Sequence, residues 1–318
     1  NDLKFLNLRK TKAFRAEPGG RRLYALLFGA FHDCLSSKIR KLIIVPDGEL
    51  FYLPIESLIL NSEIGTSRSG FLVDRFETSY APSATVLARV MSRKNDRPRD
   101  KDLLAVVVPD APEAAKSFLG FPLNLPRLRH VSQEIKVISR FFDPGKRTIL
   151  DGSQAEEGSL KKMDLSAYRF VHFAAHGVFD DDHWGGSGLL LRAGENHDDD
   201  GILQARDIFT LKLHSDLVTL SACQTGRGRL ESGEGLVGLA SALLFAGSRA
   251  VLVSLWPISD RSTPDFMEYF YAGLTKGESP SRALQGAKVK MIASSYRHPY
   301  HWAGLILVGD SLSHSISK

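Results

Sequence analysis

Five short apolar runs punctuate the chain, each with few polar interruptions. They are Lys41–Pro46, Asp102–Val108, Arg169–Ala174, Leu217–Ala222 and Ala250–Leu255. All are rich in Val, Ile, Leu or Phe and lack strict alternation. Continuous apolar runs of this length suit parallel strands covered on both faces. Longer stretches with helical spacing fall between them. Arg22–Ser36 is one. Ser132–Phe142 is another, with Ile135, Val137, Ile138, Phe141 and Phe142 set among charges. Leu236–Phe245 is small and apolar all round, which predicts a buried helix. Thr263–Leu274 opens with Thr-Pro-Asp and Ser279–Ile292 with Ser-Pro-Ser, both good helix starts. Strands alternating with helices predict an α/β fold with a mainly parallel sheet.

Two segments break the pattern. Ser92–Lys101 is charged, carries a proline and reads as a solvated linker. It divides the chain into two expected α/β sandwiches, residues 1–96 and 97–318. Asp180–Gly201, rich in Asp, Gly and His, reads as a long loop. No repeat recurs at solenoid spacing.

Composition narrows the class. The 318 residues carry 41 basic and 36 acidic side chains, a net charge of +5. That surplus is small, and no basic stripe interleaved with aromatics accompanies it, so no direct nucleic-acid partner is expected. Two cysteines, Cys34 and Cys223, make no disulfide framework, and a reducing, cytoplasmic setting is expected. No run has the apolar length of a membrane span. The chain starts at Asn1 without a signal-peptide pattern, which suggests a piece of a longer protein.

Chemistry concentrates at two strand ends, Val171-His-Phe-Ala-Ala-His-Gly177 and Leu220-Ser-Ala-Cys-Gln-Thr-Gly226. Each apolar run finishes in a polar residue capable of catalysis, with a glycine close behind. In open α/β sheets, sites form at the carboxyl ends of strands. His176 precedes Cys223 by 47 residues, the order and approximate spacing of a caspase-like pair. A thiol becomes an effective nucleophile as thiolate, and an adjacent imidazole accepts its proton and later protonates the leaving amine. The backbone N–H groups of Gly177 and Cys223 are the candidate oxyanion hole. Singly, a strand-end cysteine or histidine is more often structural; the order, spacing and flanking glycines together favour catalysis. His172 reads as structural, and Cys34, in a helical pattern with Phe28, Phe31 and Leu35, as core.

Several longer segments extend the pattern: Pro46-Asp-Gly-Glu-Leu-Phe-Tyr-Leu-Pro-Ile-Glu-Ser-Leu58, Tyr80-Ala-Pro-Ser83, His172–Gly177 and Leu220–Gly226. Gly233-Glu-Gly-Leu-Val-Gly-Leu-Ala240, Ser254-Leu-Trp-Pro-Ile-Ser-Asp260 and His298-Pro-Tyr-His-Trp-Ala-Gly304 follow in order. Together they resemble the CHAT family of caspase-like domains associated with tetratricopeptide repeats, related to separases and more distantly to caspases. The resemblance implies a caspase-like three-layer sandwich at 97–318, preceded by a pseudo-caspase domain at 1–96. It implies a cysteine endopeptidase with a His176–Cys223 dyad and an acyl-enzyme intermediate, acting on a specific cytosolic protein in a regulated defence or cell-death system. It also implies a regulatory region of repeats, or another activator, outside this chain.

Separase-like relatives cleave after basic residues, and Leu255–Asp260 resembles the segment that floors their first subsite. Asp260 is therefore a candidate acid for an Arg or Lys side chain. Equally, it reads as a cap for the helix beginning near Thr263. Trp256 either walls that pocket or belongs to the core. Asp180–Asp182 and Asp198–Asp200 invite a calcium reading but lack a dedicated loop pattern, and no zinc or phosphate-loop spacing occurs; no metal or cofactor is expected. Arg227 and Arg229 mark a candidate self-cleavage site. The competing reading is a silent or latent caspase-fold scaffold that needs a missing regulatory region.

Overall fold

A computed structural model describes residues 17–35, 38–60, 70–93, 99–111, 125–178, 186–194, 199–221 and 234–311. Eleven strands are present there. They are β1 (Lys41–Ile44), β2 (Glu77–Tyr80), β3 (Lys101–Val107), β4 (Arg147–Asp151), β5 (Tyr168–Ala174), β6 (Gly177–Val178), β7 (Gly188–Leu190), β8 (Ile202–Gln204), β9 (Leu217–Leu220), β10 (Ala250–Ser254) and β11 (Leu305–Gly309). Eight of them form one sheet in the order β1-β2-β11-β10-β9-β5-β3-β4, while β6, β7 and β8 form a small antiparallel sheet.

Neighbours in the large sheet are parallel except at β10–β11. The sheet is thus two parallel blocks running in opposite directions. The block β10-β9-β5-β3-β4 carries the two chemistry-bearing strand ends. The block β1-β2-β11 joins both parts of the chain: β2 lies beside β11 with Tyr80 opposite Val308. This corrects the expectation of two sandwiches. The strands before residue 96 extend one shared sheet, and no separate pseudo-caspase domain is seen among the described residues. The reason lies in β2. Its sequence, Glu-Thr-Ser-Tyr, is polar yet buried, because Glu77 accepts a hydrogen bond from Ser281 (2.8 Å) and pairs with Lys41 (3.3 Å).

The helices are α1 (Glu17–Phe28), α2 (Ala84–Met91), α3 (Val131–Ser139), α4 (Glu157–Lys162), α5 (Ala205–Ile208), α6 (Glu234–Ala246), α7 (Thr263–Thr275) and α8 (Pro280–Ile292). Strand residues alternate between two cores, as the pleat requires. Val171 and Phe173 of β5 face the core that holds Leu239 and Leu243 of α6. Phe170 and Ala174 face the other, with Ile138 of α3, Phe270 of α7 and Leu284 of α8. The expected buried helix is α6, whose Leu239, Ala240 and Ala242 are fully buried. The helix starts also match: Pro264 and Pro280 sit in the first turns of α7 and α8, and Ser279 accepts from the Arg282 N–H.

Three expectations change in detail. The first apolar run is an edge strand, with Ile43 and Val45 exposed, because β1 has a partner on one side. Cys34 is a free, exposed cysteine rather than a core residue. The helix ends at Phe28, and Cys34 lies in the tighter turn that follows. The loop after residue 180 carries β7 and leads into β8 rather than running free.

Candidate active site

His176 lies two residues beyond the end of β5, at the carboxyl edge of the five-strand block. Its carbonyl accepts from the Leu190 N–H at 2.8 Å, so the small sheet anchors its backbone. Gly177, next in sequence, opens β6 opposite Leu189. His176 is 1% exposed, and neither ring nitrogen makes a hydrogen bond of full geometry among the described residues, the Pro126 backbone being the one polar group that approaches as a looser partner. A buried polar group left unpaired costs about 1–3 kcal/mol, so such positions call for a functional account.

Burial pushes the His176 pKa below its ordinary value near 6.5. The Pro126 backbone and the carboxylates of Asp110 and Asp260 oppose that shift. The ring is therefore neutral at neutral pH, the form a general base requires. The two carboxylates come from different loops, Asp110 beyond β3 and Asp260 beyond β10. Sequence reading passed over Asp110, although it follows an apolar run just as His176 does. Asp110 pairs with Arg127 at 3.5 Å, and both side chains are well exposed.

Asp260 does not cap α7. Its carboxylate instead receives the backbone N–H groups of Arg129 (2.9 Å) and His130 (3.1 Å), just before α3. The His130 ring lies 2.8 Å from the same oxygen. Both sequence readings of Asp260 placed it near the site or at a helix start. The structure gives it a helix start, on a helix 130 positions earlier, and leaves its side chain 30% exposed within the field of His176. His130 gave no sequence signal, because the contact joins remote loops.

Trp256 follows β10. Its indole N–H donates to the Tyr300 carbonyl at 3.1 Å, and its ring lies over Gly304. A Cβ at Gly304 would come within 2.6 Å of the ring, so the glycine in the His298–Gly304 segment makes room for the tryptophan.

Cys223, Gly226, Arg227, Arg229 and Asp180–Asp182 lie outside the described residues. The strand leading to Cys223 is described. β9 is the immediate neighbour of β5, with His172 opposite Thr219 and Phe173 opposite Leu220. The Ser221 N–H continues the ladder to the Phe173 carbonyl at 2.9 Å. Asp199 lies near Lys161 (3.6 Å), and Asp200 accepts from the Ile202 N–H (2.9 Å). Among the described residues no three His, Cys, Asp or Glu side chains cluster as metal ligands, and no helix is long and apolar enough to cross a membrane.

The model of the CHAT domain matches residues 17–310. The chain belongs to the CHAT domain family. Tetratricopeptide repeat protein 28 of Mus musculus and of Homo sapiens are each 26% identical to this CHAT domain over 344 aligned positions. The alignments take in 93% of the chain but 13% of either relative. Among solved structures, Saccharomyces cerevisiae separase in complex with securin matches 85% of this chain and 15% of its own, at TM-score 0.53 and 17% identity. The Arg-specific cysteine proteinase gingipain R matches 93% of this chain and 67% of its own, at TM-score 0.54 and 10% identity. These likenesses show a caspase-like fold.

Proposed function

We propose that this CHAT domain is a cysteine endopeptidase in which His176 activates Cys223. The observation that carries the reading is the His176 imidazole, buried, with a pKa lowered by that burial, beside the strand that leads to Cys223. Cys223 attacks the scissile carbonyl. Its proton passes to His176 and then to the leaving amine, and water releases the acyl group. The N–H groups of Gly177 and Cys223 are assigned to the developing oxyanion.

The preferred residue before the cut is Arg or Lys, recognised by Asp260. One Asp260 oxygen carries the short contacts to Arg129 and His130, and the other has a single 3.3 Å contact with the His130 N–H. A guanidinium is matched to a carboxylate presented in this way. The fold of an Arg-specific proteinase is a supporting likeness. Trp256 is assigned to the wall of the same pocket. The substrate is a specific protein in the cytosol, and the setting is a regulated defence or cell-death response.

The test is a fluorogenic peptide library varied at the residue before the cut, compared with Cys223→Ala and His176→Ala. Turnover after Arg or Lys that both variants abolish is the expected result. Turnover surviving Cys223→Ala refutes the mechanism, and turnover after other residues removes Asp260 from its role. A latent form of the same domain is the second reading, favoured by the chain spanning 13% of its repeat-containing relatives. In that case labelling of Cys223 by a peptide warhead requires the rest of the protein.

A further inference from the structure

Four polar side chains form a chain of hydrogen bonds in the buried core below His176. His172 Nε2 lies 2.9 Å from Glu134 Oε1, and His172 Nδ1 lies 2.9 Å from the Tyr271 hydroxyl. That hydroxyl lies 3.2 Å from Thr219 Oγ1. His172, Thr219 and Tyr271 are fully buried and Glu134 is 2% exposed. One set of protons satisfies every contact: Thr219 donates to Tyr271, Tyr271 to His172 Nδ1, and His172 Nε2–H to the Glu134 carboxylate. Burial raises the Tyr271 pKa, which keeps the phenol protonated for its part.

The position of the chain matters more than its satisfaction. His172 and Thr219 are direct register partners on β5 and β9. Four positions further along the sequence come His176, after β5, and Cys223, in the segment that follows β9. Tyr271 bridges the two strands from α7, and Glu134 ties β5 to α3, which follows directly on the Arg129–His130 backbone that Asp260 holds. Phe142, Phe170 and Phe270 pack around the Tyr271 ring. Packing alone would be met by a phenylalanine at 271. A satisfied polar network adds one defined arrangement of the strands it joins.

We propose that Tyr271, His172, Thr219 and Glu134 are positioning residues that fix β5 against β9, and so hold His176 at reacting distance from Cys223. The inference rests on the dyad reading. Tyr271→Phe tests it, because the change removes both hydroxyl contacts and keeps the ring. The readout is the rate of Cys223 alkylation by iodoacetamide across pH, with exposed Cys34 as internal reference, followed by peptide mass mapping well below the unfolding temperature. In the wild type, Cys223 should react faster than in His176→Ala. Tyr271→Phe should remove about tenfold of that advantage, and adding Thr219→Val should cost little more, since both act on one contact. A merely structural role would lower the unfolding temperature and leave the Cys223 rate at its wild-type value, and that result overturns the proposal. Should Tyr271→Phe fail to fold, Thr219→Val alone is read in the same way. If wild-type Cys223 is no faster than in His176→Ala, the dyad itself falls and takes this inference with it.

Discussion

Lys288→Met should be among the most destabilising single changes away from the active site. Lys288 of α8 is fully buried, and its ammonium lies 2.6 Å from Glu56 Oε1, also fully buried. The other Glu56 oxygen accepts from the Tyr80 hydroxyl at 2.5 Å, and that hydroxyl accepts from the Ile55 N–H at 2.8 Å. Burial lowers the Lys288 pKa, and the Glu56 charge and hydrogen bond oppose that shift. Methionine matches the aliphatic stem and leaves Glu56 with Tyr80 as its remaining side-chain donor. Breaking a buried pair by removing one partner costs about 3–5 kcal/mol. The companion Lys288→Met/Glu56→Gln removes both charges and keeps an acceptor for Tyr80. It should return to within about 1–2 kcal/mol of the wild type, since replacing both partners is often close to neutral. Urea unfolding of the three proteins, compared at constant m, measures the difference. The reasoning fails if the single variant loses less than about 1 kcal/mol, because the pair would then behave as an exposed one. It also fails if the double variant is as unstable as the single, because lost packing would then be the cause. The pair fastens the Pro54–Leu58 turn and the end of β2 to α8, so its loss should loosen the first 90 residues before the five-strand block.

Other consequences are local. The acid limb of kcat/KM should fall below pH 6.5, since burial lowers the His176 pKa and protonation removes the base; a limb above pH 7 would contradict the site as drawn. Asp260→Asn removes one carboxylate that raises that pKa, so the limb should move further down while preference for Arg over a neutral residue drops by about tenfold or more. A pH–rate series on the two proteins separates these effects. Gly304→Ala drives a Cβ into the Trp256 ring and should cost about 1–3 kcal/mol. Its tryptophan emission should shift as the indole moves, whereas unchanged emission and stability would show that the ring has room.

Four strands of the five-strand block were legible because they are buried on both faces and are mostly apolar. β3, β5, β9 and β10 therefore stood out as uninterrupted apolar runs, and their carboxyl ends pointed to His176 and Cys223. In the opposite block β1 was legible as an apolar run but β2 was not. β2 is buried with a glutamate, a threonine, a serine and a tyrosine, each made tolerable by groups far away in sequence, such as Ser281 for Glu77. β4, the outermost strand of the five-strand block, escaped notice because it is a half-exposed edge strand with charged ends. Where burial is compensated by remote partners, hydropathy reports the wrong environment, and an apparent linker near residue 96 was read as a division between sheets.

The same physics explains what the site reading caught and missed. A strand-end histidine is visible in one dimension, since the run before it and the glycine after it are its neighbours in sequence. Its second layer is not. Asp260 and His130 meet across 130 positions, and Glu134, His172, Thr219 and Tyr271 come from two strands and two helices. His172 shows the difference clearly. Its alternation with His176 placed it on the strand, where it is buried and hydrogen-bonded through both ring nitrogens. Its register with Thr219 makes it more than filler, since that pairing sets the row from which the two proposed dyad residues are counted along the sequence. The proposed role would let a side chain outside the dyad govern whether His176 and Cys223 meet, and the Tyr271→Phe alkylation profile decides whether this CHAT domain uses it that way.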